Sequence, residues 1–252
     1  MSLAYSYSDV AKMIDHSLLN PTFKWDDLEN GISLALAYDV ASVCIMPYAL
    51  KHCAERLRGS NSRGSHSNVR ASTTIGFPHG VHATAIKVAE VRRALADGGE
   101  ELDMVVNISK VLSGDWAYVK DDIRAVVENT HAAGQKVKVI FENAYLNDAQ
   151  KIRLCEICAE VGADWVKTST GYAPTGATDA DLTLMRRHSP PSVQIKAAGG
   201  IRDLDALLRV RALGATRCGA TRTAGMMDEA RHRLGLPAIA FQAAAAPSMG
   251  RF

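Results

Sequence analysis

Short runs of β-branched and apolar residues recur along the chain. Each is followed by a loop rich in Gly, Pro, Asn or Thr and then by a longer stretch with helical spacing of its apolar positions. The runs fall at 13–18, 41–46, 69–77, 101–107, 136–142, 164–170, 192–198 and 215–219, so the pattern predicts eight strands separated by helices. Such alternation is the signature of βαβ units, in which a helix carries the chain back across the sheet and neighbouring strands run parallel. Eight units in 252 residues, with no Pro-rich linker and no shift in composition, fit a closed (β/α)8 TIM barrel of the α/β class better than an open sheet. An open dinucleotide-binding sheet would also carry Gly-x-Gly-x-x-Gly after its first strand, and none follows residues 13–18. A single domain over 1–252 is expected. Two irregular stretches stand out: 59–68, rich in Ser, Gly and Asn, reads as a surface loop, and the segment from about 242 to 252 as a frayed or helical flexible tail.

Charge narrows the partners. Twenty-nine basic against 27 acidic residues leave a formal charge of +2, and no basic run is interleaved with aromatics, so no nucleic-acid partner is expected. The first residues, Met1 to Tyr5, lack the charged and apolar regions of a signal peptide. No stretch approaches the roughly 18 continuous apolar residues of a membrane span. These features predict a cytoplasmic protein with no membrane partner. Five scattered cysteines argue against a disulfide framework. Cys155 and Cys158 form a Cys-x-x-Cys inside a helical pattern, where packing is the simpler role. His79 and His82 lack the further ligands a zinc site needs, so no metal is expected. His16 reads as structural.

Ionisable groups inside barrel strands need individual explanation, because inward positions are normally Val, Ile or Leu. Asp103 interrupts the run 101–107 on the same face as Val105 and Asn107. Lys167 and Lys196 lie near the carboxyl ends of their runs, where barrel active sites are built. One such lysine alone could be a rim lysine with its head in water, or half of a structural ion pair with Asp103. Together the three support a specific chemistry. A lysine at its ordinary pKa is protonated at neutral pH and is no nucleophile, but a second cation and partial burial lower that pKa. The free amine can then attack a carbonyl to give a protonated imine, while an aspartate relays protons. Such chemistry requires no metal or organic cofactor.

At these residues the sequence resembles the deoxyribose-phosphate aldolases of the DeoC type, a family of class I aldolases. The matching blocks lie in family order at 14–19, 43–47, 74–80, 101–107, 138–142, 162–171 and 196–202. The most specific is the run Gly162-Ala163-Asp164-Trp165-Val166-Lys167-Thr168-Ser169-Thr170-Gly171. The resemblance implies that Lys167 forms the Schiff base, Lys196 lowers its pKa and Asp103 moves protons. It also implies reversible cleavage of 2-deoxy-D-ribose 5-phosphate to D-glyceraldehyde 3-phosphate and acetaldehyde, by a homodimer. Asp15, Ser17, Glu142 and Thr170 would complete the polar lining, with Ser17 standing where threonine is usual and Asn143 replacing a usual threonine. Gly171, Gly199 and Gly200 suit a phosphate held by loop amides. Thr221 is expected to join them. Arg222 takes the place of a second hydroxyl residue, and it either binds phosphate bidentately or points to solvent. Cys44 either packs at a strand end or faces the pocket. Arg222 and Tyr172 also leave room for a related aldolase with another aldose substrate, and loss of catalysis would leave a sugar-phosphate-binding barrel.

Overall fold

Residues 5–62, 68–239 and 241 are described by the computed structural model. Eight parallel strands pair in sequence order and close into a barrel: β1 (Ile14–Leu18), β2 (Ser42–Ile45), β3 (Arg70–Ile75), β4 (Glu101–Val105), β5 (Lys136–Ile140), β6 (Trp165–Lys167), β7 (Gln194–Ala198) and β8 (Arg217–Ala220). Around them run α1 (Tyr7–Ala11), α2 (Trp25–Ala37), α3 (Leu50–Ser62), α4 (Thr84–Ala96), α5 (Ile108–Leu112), α6 (Trp116–His131), α7 (Asp148–Val161), α8 (Asp179–His188), α9 (Leu204–Ala212) and α10 (Thr223–Arg233). Every predicted strand run coincides with one observed strand, and β8 alone extends one residue past its run. Several end early because their last residues, such as Gly76, Phe77, Glu142 and Thr170, leave the ladder to form loops over the barrel mouth.

One expectation is corrected. Residues 59–62, read as part of a loop, are the last turn of α3. Ala54 and Leu57 of the same helix are buried against the barrel, and that docking overrides the weak helix preference of Gly59 and Ser60. Residues 63–67 of that stretch and the predicted tail at 242–252 lie outside the described residues.

Local signals set the helix starts. Asp115, Asn147 and Asp203 each accept a backbone N–H of the first turn of α6, α7 and α9, satisfying donors that the helix itself cannot pair. Cys155 and Cys158 are buried on α7, in a packing role. No helix among the described residues is long and apolar enough to cross a membrane.

Alternation along the strands divides the interior in two. One set of side chains, including Ile14, Val43, Leu102, Val139, Val166 and Ile195, is fully buried between strands and helices. Each such side chain contributes about 1.5–3 kcal/mol on leaving water, so this outer layer supplies the stabilising core. The opposite face points into the lumen and is charged: Asp15, Glu101, Asp103, Lys138, Lys167 and Lys196 are all almost completely shielded from solvent.

Candidate active site

Strand register brings the lumen charges together. Asp103 of β4 stands beside Lys138 of β5, and Lys167 of β6 beside Lys196 of β7. Lys167 Nζ donates to Asp103 Oδ2 at 2.8 Å and Lys196 Nζ to the same oxygen at 2.7 Å. Lys138 Nζ donates to the other oxygen, Oδ1, at 2.9 Å. Lys167 is the last residue of β6, where the strand passes into the loop over the mouth.

The three lysines are not equivalent. Lys196 also lies 2.6 Å from Asp15 Oδ2, and Lys138 lies 2.7 Å from Glu101 Oε2 and 3.5 Å from Asp15 Oδ2. Burial works against both charges, but the surrounding carboxylates prevail and hold both amines above the ordinary lysine range. Lys167 touches one carboxylate only, and that one is shared. Burial pushes its pKa down, and the neighbouring Lys196 cation adds to this against the pull of Asp103. Asp103 and Asp15 resist the upward push of burial because the adjacent cations hold them well below the usual carboxylate range. The arrangement therefore sets one amine of lowered pKa beside two held as cations.

The remaining predicted residues fall into a lumen group and a rim group. Asp15 accepts the Ser42 hydroxyl at 2.7 Å. Cys44 is buried on β2, pairs in register with Ser17, and feels the field of Asp103, Lys196 and Lys167, so it faces the lumen rather than packing outward. Burial raises its pKa and keeps it a thiol. Glu142 sits at φ 58°, a left-handed backbone that non-glycine residues seldom adopt, just past the end of β5. Its carboxylate accepts the Thr170 backbone N–H at 3.2 Å and also the Thr170 hydroxyl, and burial raises its pKa. Asn143 turns away from the lumen, with its amide against Met185 Sδ at 3.3 Å.

At the rim, Gly171, Gly199 and Gly200 all have positive φ, of 92°, 82° and 85°. A Cβ on Gly200 would meet nothing within 4 Å, so conformation alone demands glycine there. Gly176 is demanded by contact instead, since a Cβ there would lie 2.4 Å from the Gly199 backbone. Thr221 and Arg222 follow β8 as exposed residues, Arg222 forming the N-cap of α10 without a side-chain cap bond. The Tyr172 hydroxyl donates to the Leu19 carbonyl at 2.8 Å and its ring meets Phe77 edge-on at 5.6 Å, tying together the loops after β1, β3 and β6.

His16 points out of the barrel, with Nδ1 2.8 Å from the Thr223 hydroxyl, and burial pushes its pKa down to about 4. His79 and His82 sit in the exposed loop between β3 and α4.

Sequence reasoning missed three members of the network: Glu101, Lys138 and Arg217. The signal was present, because Glu101 shares a strand face with Asp103, and Lys138 stands between Val137 and Val139 at the centre of its strand.

A closed parallel barrel whose lumen holds a buried amine of lowered pKa, beside fixed cations and a carboxylate, defines an α/β-barrel enzyme equipped for carbonyl chemistry. The profile of the DeoC/LacD aldolases matches residues 9–227, and the chain belongs to that family. It is 66% identical over 235 residues to the deoxyribose-phosphate aldolase of Rhodopirellula baltica, covering 93% of this chain and 95% of that one. To the deoxyribose-phosphate aldolase of Thermococcus gammatolerans it is 42% identical over 224 residues, 89% of this chain and 97% of that one. Among solved structures, the tetrameric deoxyribose phosphate aldolase of Aeropyrum pernix superposes with a TM-score of 0.79 at 26% identity, covering 91% and 93% of the two chains.

Proposed function

We propose that this chain is a Schiff-base aldolase that reversibly cleaves 2-deoxy-D-ribose 5-phosphate to D-glyceraldehyde 3-phosphate and acetaldehyde in deoxynucleoside breakdown. The observation that carries the reading is the contrast among the three lumen lysines: Lys167 has a lowered pKa where Lys138 and Lys196 are held as cations, and it shares Asp103 Oδ2 with Lys196.

In this reading the Lys167 amine adds to the aldehyde carbon of the open-chain sugar and water leaves, giving an iminium. A base takes the proton of the hydroxyl two carbons further on. The intervening carbon–carbon bond breaks, its electrons flow into the iminium, and glyceraldehyde phosphate departs. Protonation of the enamine and hydrolysis release acetaldehyde and restore the amine. Asp103, pinned by three cations, suits a relay that carries a proton only briefly. Glu142, with its raised pKa, suits a group that holds a proton longer nearer the mouth. The sugar's phosphate is assigned to the amides at Gly171, Gly199 and Gly200 and to Thr221 and Arg222. The polar contacts of the sugar itself are assigned to Asp15, Ser17, Cys44 and Thr170. We take the working form to be a cytoplasmic homodimer, which sedimentation of the purified protein checks.

Borohydride reduction in the presence of acetaldehyde tests the reaction class. An added ethyl group on the peptide containing Lys167 is expected, and an unmodified Lys167 would sink the assignment. Initial rates on deoxyribose 5-phosphate against non-phosphorylated and longer aldoses test the substrate, and a clear preference for the latter would replace it.

A further inference from the structure

The lumen charges continue below the three lysines. Arg217 Nη1 lies 2.6 Å from Asp15 Oδ1 and 3.0 Å from Glu101 Oε2, and its Nη2 lies 2.9 Å from Glu101 Oε1. The guanidinium rests over the Trp165 ring at 5.2 Å. Glu101 in turn takes Lys138 at 2.7 Å, and Asp15 takes Lys196 at 2.6 Å. An unbroken chain of ion contacts thus links Arg217 to Asp103 and Lys167.

A group of charges sealed from water is most stable when it sums to zero, because net charge in a low-dielectric interior carries a large solvation penalty. Three carboxylates, Asp15, Glu101 and Asp103, are balanced by Arg217, Lys138 and Lys196, each of which touches at least two of them. Arg217 cannot give up its proton. Lys167 is the fourth cation set against three anions. The other ionisable groups nearby stand outside this chain of ion contacts. Cys44 on β2 is held as a thiol, and Glu142 beyond β5 hydrogen-bonds Thr170 and acts on Lys167 only through space, with burial raising its pKa. Arg70 on β3, 51% exposed, approaches Glu101 at 3.8 Å but pairs with Glu100 at 3.1 Å. His16 on β1 faces Thr223.

We propose that Arg217 and Glu101 are positioning residues for the reaction: they open their strands below the lysines, and their ion pair sets the lumen charge count that leaves Lys167 as the surplus cation. This rests on the Schiff-base reading of Lys167. The two residues then act with opposite signs. Removing the Arg217 cation makes a protonated Lys167 the balancing charge, and removing the Glu101 anion disfavours that proton further.

The test is the pH dependence of acetaldehyde trapping at Lys167 by borohydride, read by peptide mass from about pH 5 to about pH 10, across the range in which a perturbed lysine titrates. Arg217→Met is expected to move the midpoint to higher pH and Glu101→Gln to lower pH, each by roughly one unit or a tenfold change in the amine ratio. The double variant is expected to return it near the wild-type position. A merely structural role would reduce trapping at all pH values without opposed shifts, and unshifted or same-direction midpoints overturn the proposal. Glu101→Gln is nearly isosteric and leaves Arg217 on Asp15, so it decides alone if Arg217→Met does not fold. Wild type untrapped at Lys167 overturns the aldolase reading and this inference together, whereas trapped wild type with unshifted variants overturns only the inference.

Discussion

Lys167 and Lys196 meet at a single atom: both amines lie on Asp103 Oδ2, at 2.8 and 2.7 Å. Two ammonium groups on one buried oxygen repel each other, and the amine with fewer carboxylates yields its proton more readily. Lys196 has a second partner in Asp15, so Lys167 is the one that yields.

Replacing the cation that does not yield should therefore change the pH at which the other works. Lys196→Leu removes the neighbour that lowers the Lys167 pKa, so that pKa rises. A residual rate is expected, with the acidic limb of the profile displaced to higher pH. A profile matching wild type would contradict the role of Lys196.

Lys167→Leu should abolish turnover, by more than about 10³-fold, because Lys138 and Lys196, the other two amines on Asp103, are held as cations. Asp103 keeps Lys138 and Lys196, so the fold is expected to survive with unchanged far-ultraviolet circular dichroism. Activity close to wild type would remove Lys167 from the chemistry.

His16 makes stability depend on pH. Its pKa is about 4 in the folded barrel against 6.5 ordinarily, so below about pH 6.5 the unfolded chain takes up a proton that the native state refuses. Stability from this group is complete at neutral pH and is lost as pH falls toward 4. Between pH 7 and 5 the loss is about 2 kcal/mol. Urea unfolding of wild type and His16→Gln at the two pH values measures it, and an equal pH effect in both proteins would refute the assignment.

Arg222 separates binding from chemistry. A charge-assisted hydrogen bond contributes about 1.5–3 kcal/mol, so Arg222→Ala should raise KM for deoxyribose 5-phosphate about 10- to 100-fold with kcat little changed. An unchanged KM would place Arg222 in solvent and leave Thr221 and the glycines as the phosphate contacts.

The barrel was legible because strand runs and helix starts are local signals, and the eight runs were found to within a few residues. Lys167, Lys196 and Asp103 were legible because a charge is unexpected in an apolar strand. Arg217 was not, and Glu101 was passed over despite sharing the face of Asp103, because each opens its strand beside a polar loop, where a charged residue looks solvent-exposed. Only closure of the barrel brings β8 across to β4 and shows that these side chains are partners. The helical turn at 59–62 was missed for a similar reason, since docking of Leu57 outweighed the local Gly and Ser preferences.

The lumen's isolation from solvent has a consequence for how dissolved ions act on the protein. Mobile salt screens charges it can approach and has little access to pairs sealed inside a strand cylinder. Gly200, Thr221 and Arg222 are open to counterions, whereas Asp103 and Lys196 are not. Raising ionic strength should therefore weaken capture of the anionic sugar at the rim while leaving the pH window of the interior amine in place, so that one easily varied condition acts on binding and leaves proton chemistry alone.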